Sequence, residues 1–141
     1  MILTQSVLRG LLAVALLAWP VTVQANIGDD LSQLRKRYGS AKEIGNQMLF
    51  QHDGYSIAVY FDGTHSGMEV FVRDGSKPDK LDITQEDIDK ILVSQDGPNW
   101  NAVKTTSGKP TWVSADGRLI ARLSEGDKSD DKFLTVMVNS K

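Results

Sequence analysis

The chain has 141 residues, with 16 Lys and Arg against 18 Asp and Glu, a net charge of −2, and no cysteine. The absence of cysteine excludes disulfides, thiolate metal sites, thiol nucleophiles and a lipid-modified N-terminus of the bacterial lipoprotein kind. Leu34-Arg35-Lys36-Arg37 is the basic cluster, but it falls on a predicted helix beside acidic neighbours. No concentrated basic surface of the sort that nucleic-acid binding requires is visible.

Residues 1–25 have the pattern of a secretory signal peptide. Arg9 is their sole charge, Gly10 to Trp19 is apolar, Pro20 breaks the run, and Val23-Gln24-Ala25 supplies small residues for cleavage after Ala25. A spanning helix needs about 20 apolar residues, and this run is shorter. The expectation is export to a periplasm or the exterior, with no membrane span after cleavage. Residues 26–141 are then one domain, long enough to bury roughly two thirds of its unfolded surface.

Asp29 or Asp30 is placed to cap a helix, with Leu31, Leu34 and Tyr38 at helical spacing and Gly39 as its stop. Met48 to His52 and Tyr55 to Phe61 flank Asp53-Gly54, the turn pair favoured in two-residue hairpins. Pairing across it sets His52 against Tyr55, Phe50 against Ile57 and Met48 against Val59. The next turn, Asp62 to Gly67, is expected to set Phe61 against Met68, Val59 against Val70 and Ile57 against Val72. All three strands then agree on one apolar face.

Asp74 to Lys80 is a polar linker. A second helix begins at Thr84, with a Thr84–Asp87 capping box, Ile83 as a staple, and Ile88, Ile91 and Leu92 as the buried stripe. Gly97-Pro98 ends it. Thr111 to Ala115 and Arg118 to Leu123 flank a second Asp-Gly, and Phe133 to Val138 is a last strand after the charged loop Glu125 to Lys132. Two registers stay open here. One buries Trp112, Leu119, Ala121 and Leu123; the other aligns Ile120 with Ile57 through a bulge.

The two halves echo each other. The expected fold is α+β: a tandem helix-plus-three-strand repeat, with repeats near 29–74 and 83–138 joined by a 75–82 linker, and an antiparallel sheet with both helices on one face.

Few side chains point to chemistry. His52 sits beside a turn on the apolar face and reads as structural. His65 and Ser66 are adjacent in a turn, a poor geometry for a base and its nucleophile, and Gly63-Thr64-His65-Ser66-Gly67 is not the Gly-x-Ser-x-Gly elbow. The Asp-Gly pairs are turn residues. No metal set is evident at recognisable spacing, and no cofactor is expected. The outer sheet face is more distinctive. Leu49, Ala58 and Phe71 are expected side by side there, next to Tyr60, Glu69 and Arg73, where a solvated face would read polar. Trp100, in a turn after the second helix, is a further candidate anchor.

Arg37-Tyr38-Gly39, Asp53-Gly54-Tyr55-Ser56-Ile57, the Leu81 to Trp100 stretch and Trp112…Asp116-Gly117 together give an "RYG … DGYxIxVxF … W … W…DG" pattern. It resembles that of uncharacterised families of small exported bacterial proteins, a likeness that implies export and a shared fold. The expected topology also resembles that of the beta-lactamase inhibitor protein and, more loosely, the small lipoproteins of outer-membrane barrel assembly, although the chain lacks the cysteines of both. Those proteins bind partners through a sheet face.

Three readings follow. The first is a non-enzymatic, exported protein-binding or inhibitor-like module of the bacterial envelope, using Leu49, Ala58, Tyr60, Phe71 and Trp100 toward another envelope or secreted protein. The second is a small periplasmic hydrolase using His52 or His65. The third is a structural envelope protein without a discrete site.

Overall fold

The computed structural model describes residues 27–74, 82–126 and 132–140. The signal-peptide reading of residues 1–25, most of the linker and the middle of the loop from Glu125 to Lys132 lie outside the described residues.

Helix α1 is Leu31–Tyr38, and its N-cap is Asp30. The Asp30 carboxylate accepts from the Gln33 N–H at 2.8 Å, and the Gln33 side-chain oxygen accepts from the Asp30 N–H at 2.9 Å. This reciprocal pair satisfies donors that the first turn leaves free. Helix α2 is Gln85–Asp96, capped by Thr84 and Asp87 in the same manner, with Ile88, Ile91 and Leu92 buried as the spacing predicts.

Eight strands form one antiparallel sheet. In chain order they are β1 (Ala41–Ile44), β2 (Gln47–His52), β3 (Tyr55–Asp62), β4 (His65–Arg73), β5 (Asn101–Val103), β6 (Thr111–Val113), β7 (Leu119–Glu125) and β8 (Lys132–Val138). Their order across the sheet is β1-β2-β3-β4-β8-β7-β6-β5. The α+β class and the antiparallel pairing agree with expectation. The tandem helix-plus-three-strand repeat does not. A single eight-stranded sheet replaces it, joined at its middle by β4 and β8. Two strands escaped the sequence reading because Ala41-Lys42-Glu43-Ile44 and Asn101-Ala102-Val103 are short and largely exposed. Such edges carry little hydrophobic signal, and shortness and charge protect them from pairing with other chains.

The β2–β3 register is as predicted: His52 pairs with Tyr55, Phe50 with Ile57 and Met48 with Val59. Asp53 (φ 54°) and Gly54 (φ 84°) both lie in the left-handed region that this tight turn demands. The second Asp-Gly differs. Asp116 accepts from the Ser114 hydroxyl and the Arg118 N–H inside a longer loop, and β6 stops at Val113. Beyond it, Leu119 and Ala121 are fully buried, which selects the first of the two open registers.

The β3–β4 register departs from expectation by one residue. It shifts between Tyr60 and Phe61, so Tyr60 pairs with Met68 and Phe61 with Ser66, leaving Gly67 as an extra residue. Val59 therefore faces Glu69, and Ile57 faces Phe71. A one-residue slip sends every side chain of a strand to the other face. Glu69, Phe71 and Arg73 turn inward, and Met68, Val70 and Val72 turn outward.

The core lies on the inner face, between the sheet and both helices. Leu34 and Tyr38 of α1 and the stripe of α2 meet Phe50, Ile57, Val59, Phe71, Leu119, Ala121, Leu134 and Val136. Among the described residues, no helix is long and apolar enough to cross a membrane.

Candidate functional site

Two polar clusters tie the helices to the inner face. In the first, Glu69 of β4 is 0% exposed. Its Oε2 accepts from the Gln95 amide of α2 at 2.6 Å and from the Tyr38 hydroxyl of α1 at 3.2 Å. One carboxyl thus joins both helices to the middle of the sheet. Burial raises its pKa to about 7, against the opposing pull of the hydrogen bonds from Gln95 and Tyr38. Burial, and then the Glu69 charge, also push the Tyr38 hydroxyl upward.

In the second cluster, Asp87 of α2 accepts from the Tyr55 hydroxyl at 2.5 Å and from two Arg73 nitrogens at 2.7 and 3.1 Å. The Arg73 guanidinium also lies 5.3 Å from the Tyr55 ring centroid. Burial alone would raise the Asp87 pKa. The hydrogen bonds from Tyr55, from Thr84 and from Arg73 outweigh it, and the pKa falls to about 2. Both clusters are enclosed between helix and sheet; both Asp87 oxygens accept hydrogen bonds, while the Glu69 Oε1 is buried without a partner.

The histidines are far apart. His52 ends β2 and His65 opens β4, so the length of β3 separates them, about 20 Å for a strand of this size. The His52 ring packs against Tyr38 with centroids 5.5 Å apart. His65 Nδ1 lies 2.9 Å from Thr64 Oγ1. The Ser66 hydroxyl oxygen accepts from the Gly28 N–H at 3.0 Å, and Ser66 is 3% exposed. Ser66 thus secures the segment entering α1. Among the described residues, no three His, Asp or Glu side chains converge as a metal set would. A cleft of about 560 Å³ opens beside the start of α1, with Leu31, Met48 and Phe61 in its lining. It lies on the helix side of β2.

Among the described residues, the other side of the sheet carries no helix. Pairing defines a continuous row across its eight strands: Lys42, Leu49, Ala58, Val70, Thr135, Arg122, Thr111 and Val103. A parallel row runs through Ile44, Gln47, Tyr60, Met68, Met137, Ile120, Val113 and Asn101, and a shorter one through Gln51, Ser56, Val72, Phe133 and Ser124. Most of these side chains are half-buried, and Val72 is 37% exposed.

Leu49, Ala58 and Tyr60 lie together on this face, as predicted. Phe71 does not, because the bulge turns it into the core at 3% exposure. Trp100 also belongs to the inner side: it packs on the core, and its indole N–H donates to the Leu92 carbonyl at 2.8 Å. Sequence reasoning missed Met68, Val70, Val72, Ile120, Phe133, Met137 and Arg122. Gly67 was the available signal, since an isolated glycine in a strand pattern marks a bulge.

No family model and no curated protein matches the chain. Several solved structures match the chain, among them two at low identity. A DUF4309 family protein of Bacillus subtilis matches with a TM-score of 0.46 and 14% identity, over 79% of this chain and 79% of that one. A cysteine-rich secretory protein of Staphylococcus aureus matches with a TM-score of 0.43 and 12% identity, over 80% of this chain and 43% of that one. Likenesses of this size carry no argument about function.

Proposed function

We propose that the protein is an exported, non-enzymatic protein-binding module of the bacterial envelope, and that the outer face of its sheet is the binding surface. One observation carries the reading: the chain buries a carboxyl, Glu69, while the same strand turns Met68, Val70 and Val72 outward. A sheet face that meets only water usually alternates to polar residues. Here tyrosine, methionine and branched aliphatics run across the central strands, a composition that suits a protein interface. Methionine adapts its shape to varied partners, and Met68 lies directly across from Met137. The N-terminal pattern of residues 1–25 and the resemblance to small exported families support the envelope setting.

The test is affinity capture from an envelope extract with the wild-type protein and with Tyr60→Ala and Val72→Glu variants. The expected result is one stoichiometric partner, lost from both variants while their melting temperatures stay within a few degrees of wild type. Equal capture by all three proteins removes the face from consideration. N-terminal sequencing of the exported protein checks the setting, with Asn26 expected first.

A further inference from the structure

We infer that Arg122 is the electrostatic anchor of this face, and that the partner is a protein segment presenting a carboxylate among apolar side chains. The inference rests on the binding reading above and adds the chemistry of the partner.

Arg122 lies in the central row, between Thr135 of β8 and Thr111 of β6, with Ile120 beside it on the same face of β7. Among the described residues its side chain has no hydrogen bond or ion pair, and its Nε is buried without a partner. Arg73 and Arg37, by contrast, each have an acid, Asp87 and Asp29, although the Arg37 Nε is also without a partner of its own. On the strands of the outer face the charged residues are Lys42 and Arg122, both cationic, with Asp62 only at the tip of the β3–β4 hairpin. The chain as a whole is net acidic. Its outer face thus mixes apolar and uncharged polar residues, and its strands carry two cations against one peripheral acid within a negative molecule. A guanidinium partly withdrawn from water gains most from a planar, two-oxygen acceptor, and a carboxylate matches its fork of donors. Thr135, opposite Arg122 in the register, adds a hydroxyl beside the same spot.

The experiment is a selection of random displayed peptides against the immobilised protein. The tightest peptide is then synthesised with its acid intact and as the amide, and both forms are titrated into wild type, Arg122→Gln and Arg122→Glu. The expected peptides carry Asp or Glu flanked by apolar residues and shift the Met68 and Met137 methyl resonances. Either the amide peptide or Arg122→Gln lowers affinity by at least about tenfold. Combining the two lowers it little further, and Arg122→Glu selects basic peptides instead. Peptides that shift those methyls but show no acid preference, and that bind Arg122→Gln equally, overturn the anchor while leaving the binding face standing. Failure of every peptide to shift them, self-association through this face, or binding to anionic lipid vesicles in place of peptides overturns the face and the anchor together.

Discussion

On the inner face of the sheet, Glu69 has two hydrogen-bond donors and Asp87 has an arginine, a tyrosine and its own helix cap. On the outer face, the Arg122 side chain has no hydrogen bond or ion pair among the described residues, and its register neighbours are Thr111, Thr135 and Ile120. Both faces belong to the same strands, so local propensity cannot account for the contrast. An unpaired buried charge is expensive; on the helix side Asp87 is paired with Arg73, whereas Glu69, whose Oε1 has no partner, is pushed by burial toward its neutral form. Among the described residues no helix closes over the outer face, and Arg122 is the cation there to which the proposed partner is assigned.

The largest expected effect is on stability. Phe50→Ala or Leu134→Ala on the inner face should cost about 3–5 kcal/mol in urea unfolding, because each opens a cavity in a closed core. Met68→Ala on the outer face should cost clearly less. Equal costs would mean that the outer face is core and the contrast between faces is false. Next comes the Asp87 cluster: Arg73→Ala should cost about 3 kcal/mol by leaving a buried carboxylate unpaired. The paired replacement Arg73→Met with Asp87→Leu should be much milder.

The two carboxyls should also respond to pH with opposite signs. Glu69 is raised from its ordinary 4.5 to about 7, so the folded state binds more protons than the unfolded chain in that interval. Its contribution is full below pH 4.5 and is lost as pH rises to about 7. Asp87 is lowered from 3.8 to about 2, so its contribution is full above 3.8 and is lost as pH falls through about 2. Stability should therefore peak near pH 4–5, with a fall on the order of 2 kcal/mol toward neutrality. Glu69→Gln should flatten the neutral limb and Asp87→Asn the acid limb, as read from urea midpoints across pH. A neutral limb unchanged in Glu69→Gln would assign that slope to other groups. The smallest stability effect, within about 0.5 kcal/mol, is expected for Arg122→Gln, as for a surface change that breaks no internal bond.

Much of this architecture was legible in the sequence. The pair Asp29-Asp30, of which Asp30 is the cap, and Thr84 announced both helices, because a cap needs a short acceptor before an apolar stripe. Asp53-Gly54 fixed the β2–β3 register, because its turn permits only one alignment. The β4 strand was misread because Met68, Val70 and Val72 alternate as a buried strand should. The physical reason for their outward turn lies in Gly67 and in the partners that Glu69 and Arg73 find on distant helices, contacts that no local window contains. The same slip placed Phe71 on the wrong face. Leu49, Ala58 and Tyr60 were placed correctly because they depend on the legible hairpin alone. The edge strands β1 and β5 were invisible because they bury little and pair on one side only.

The most direct measurement is a methyl-resolved NMR titration of the tightest selected peptide into the intact protein. It would be read at Met68, Val70, Ile120 and Met137, with Leu34 and Leu134 as inner-face controls. Saturable shifts confined to the outer-face methyls would uphold the outer sheet as the binding surface. Shifts confined to other residues, with the outer-face methyls unmoved, would contradict it.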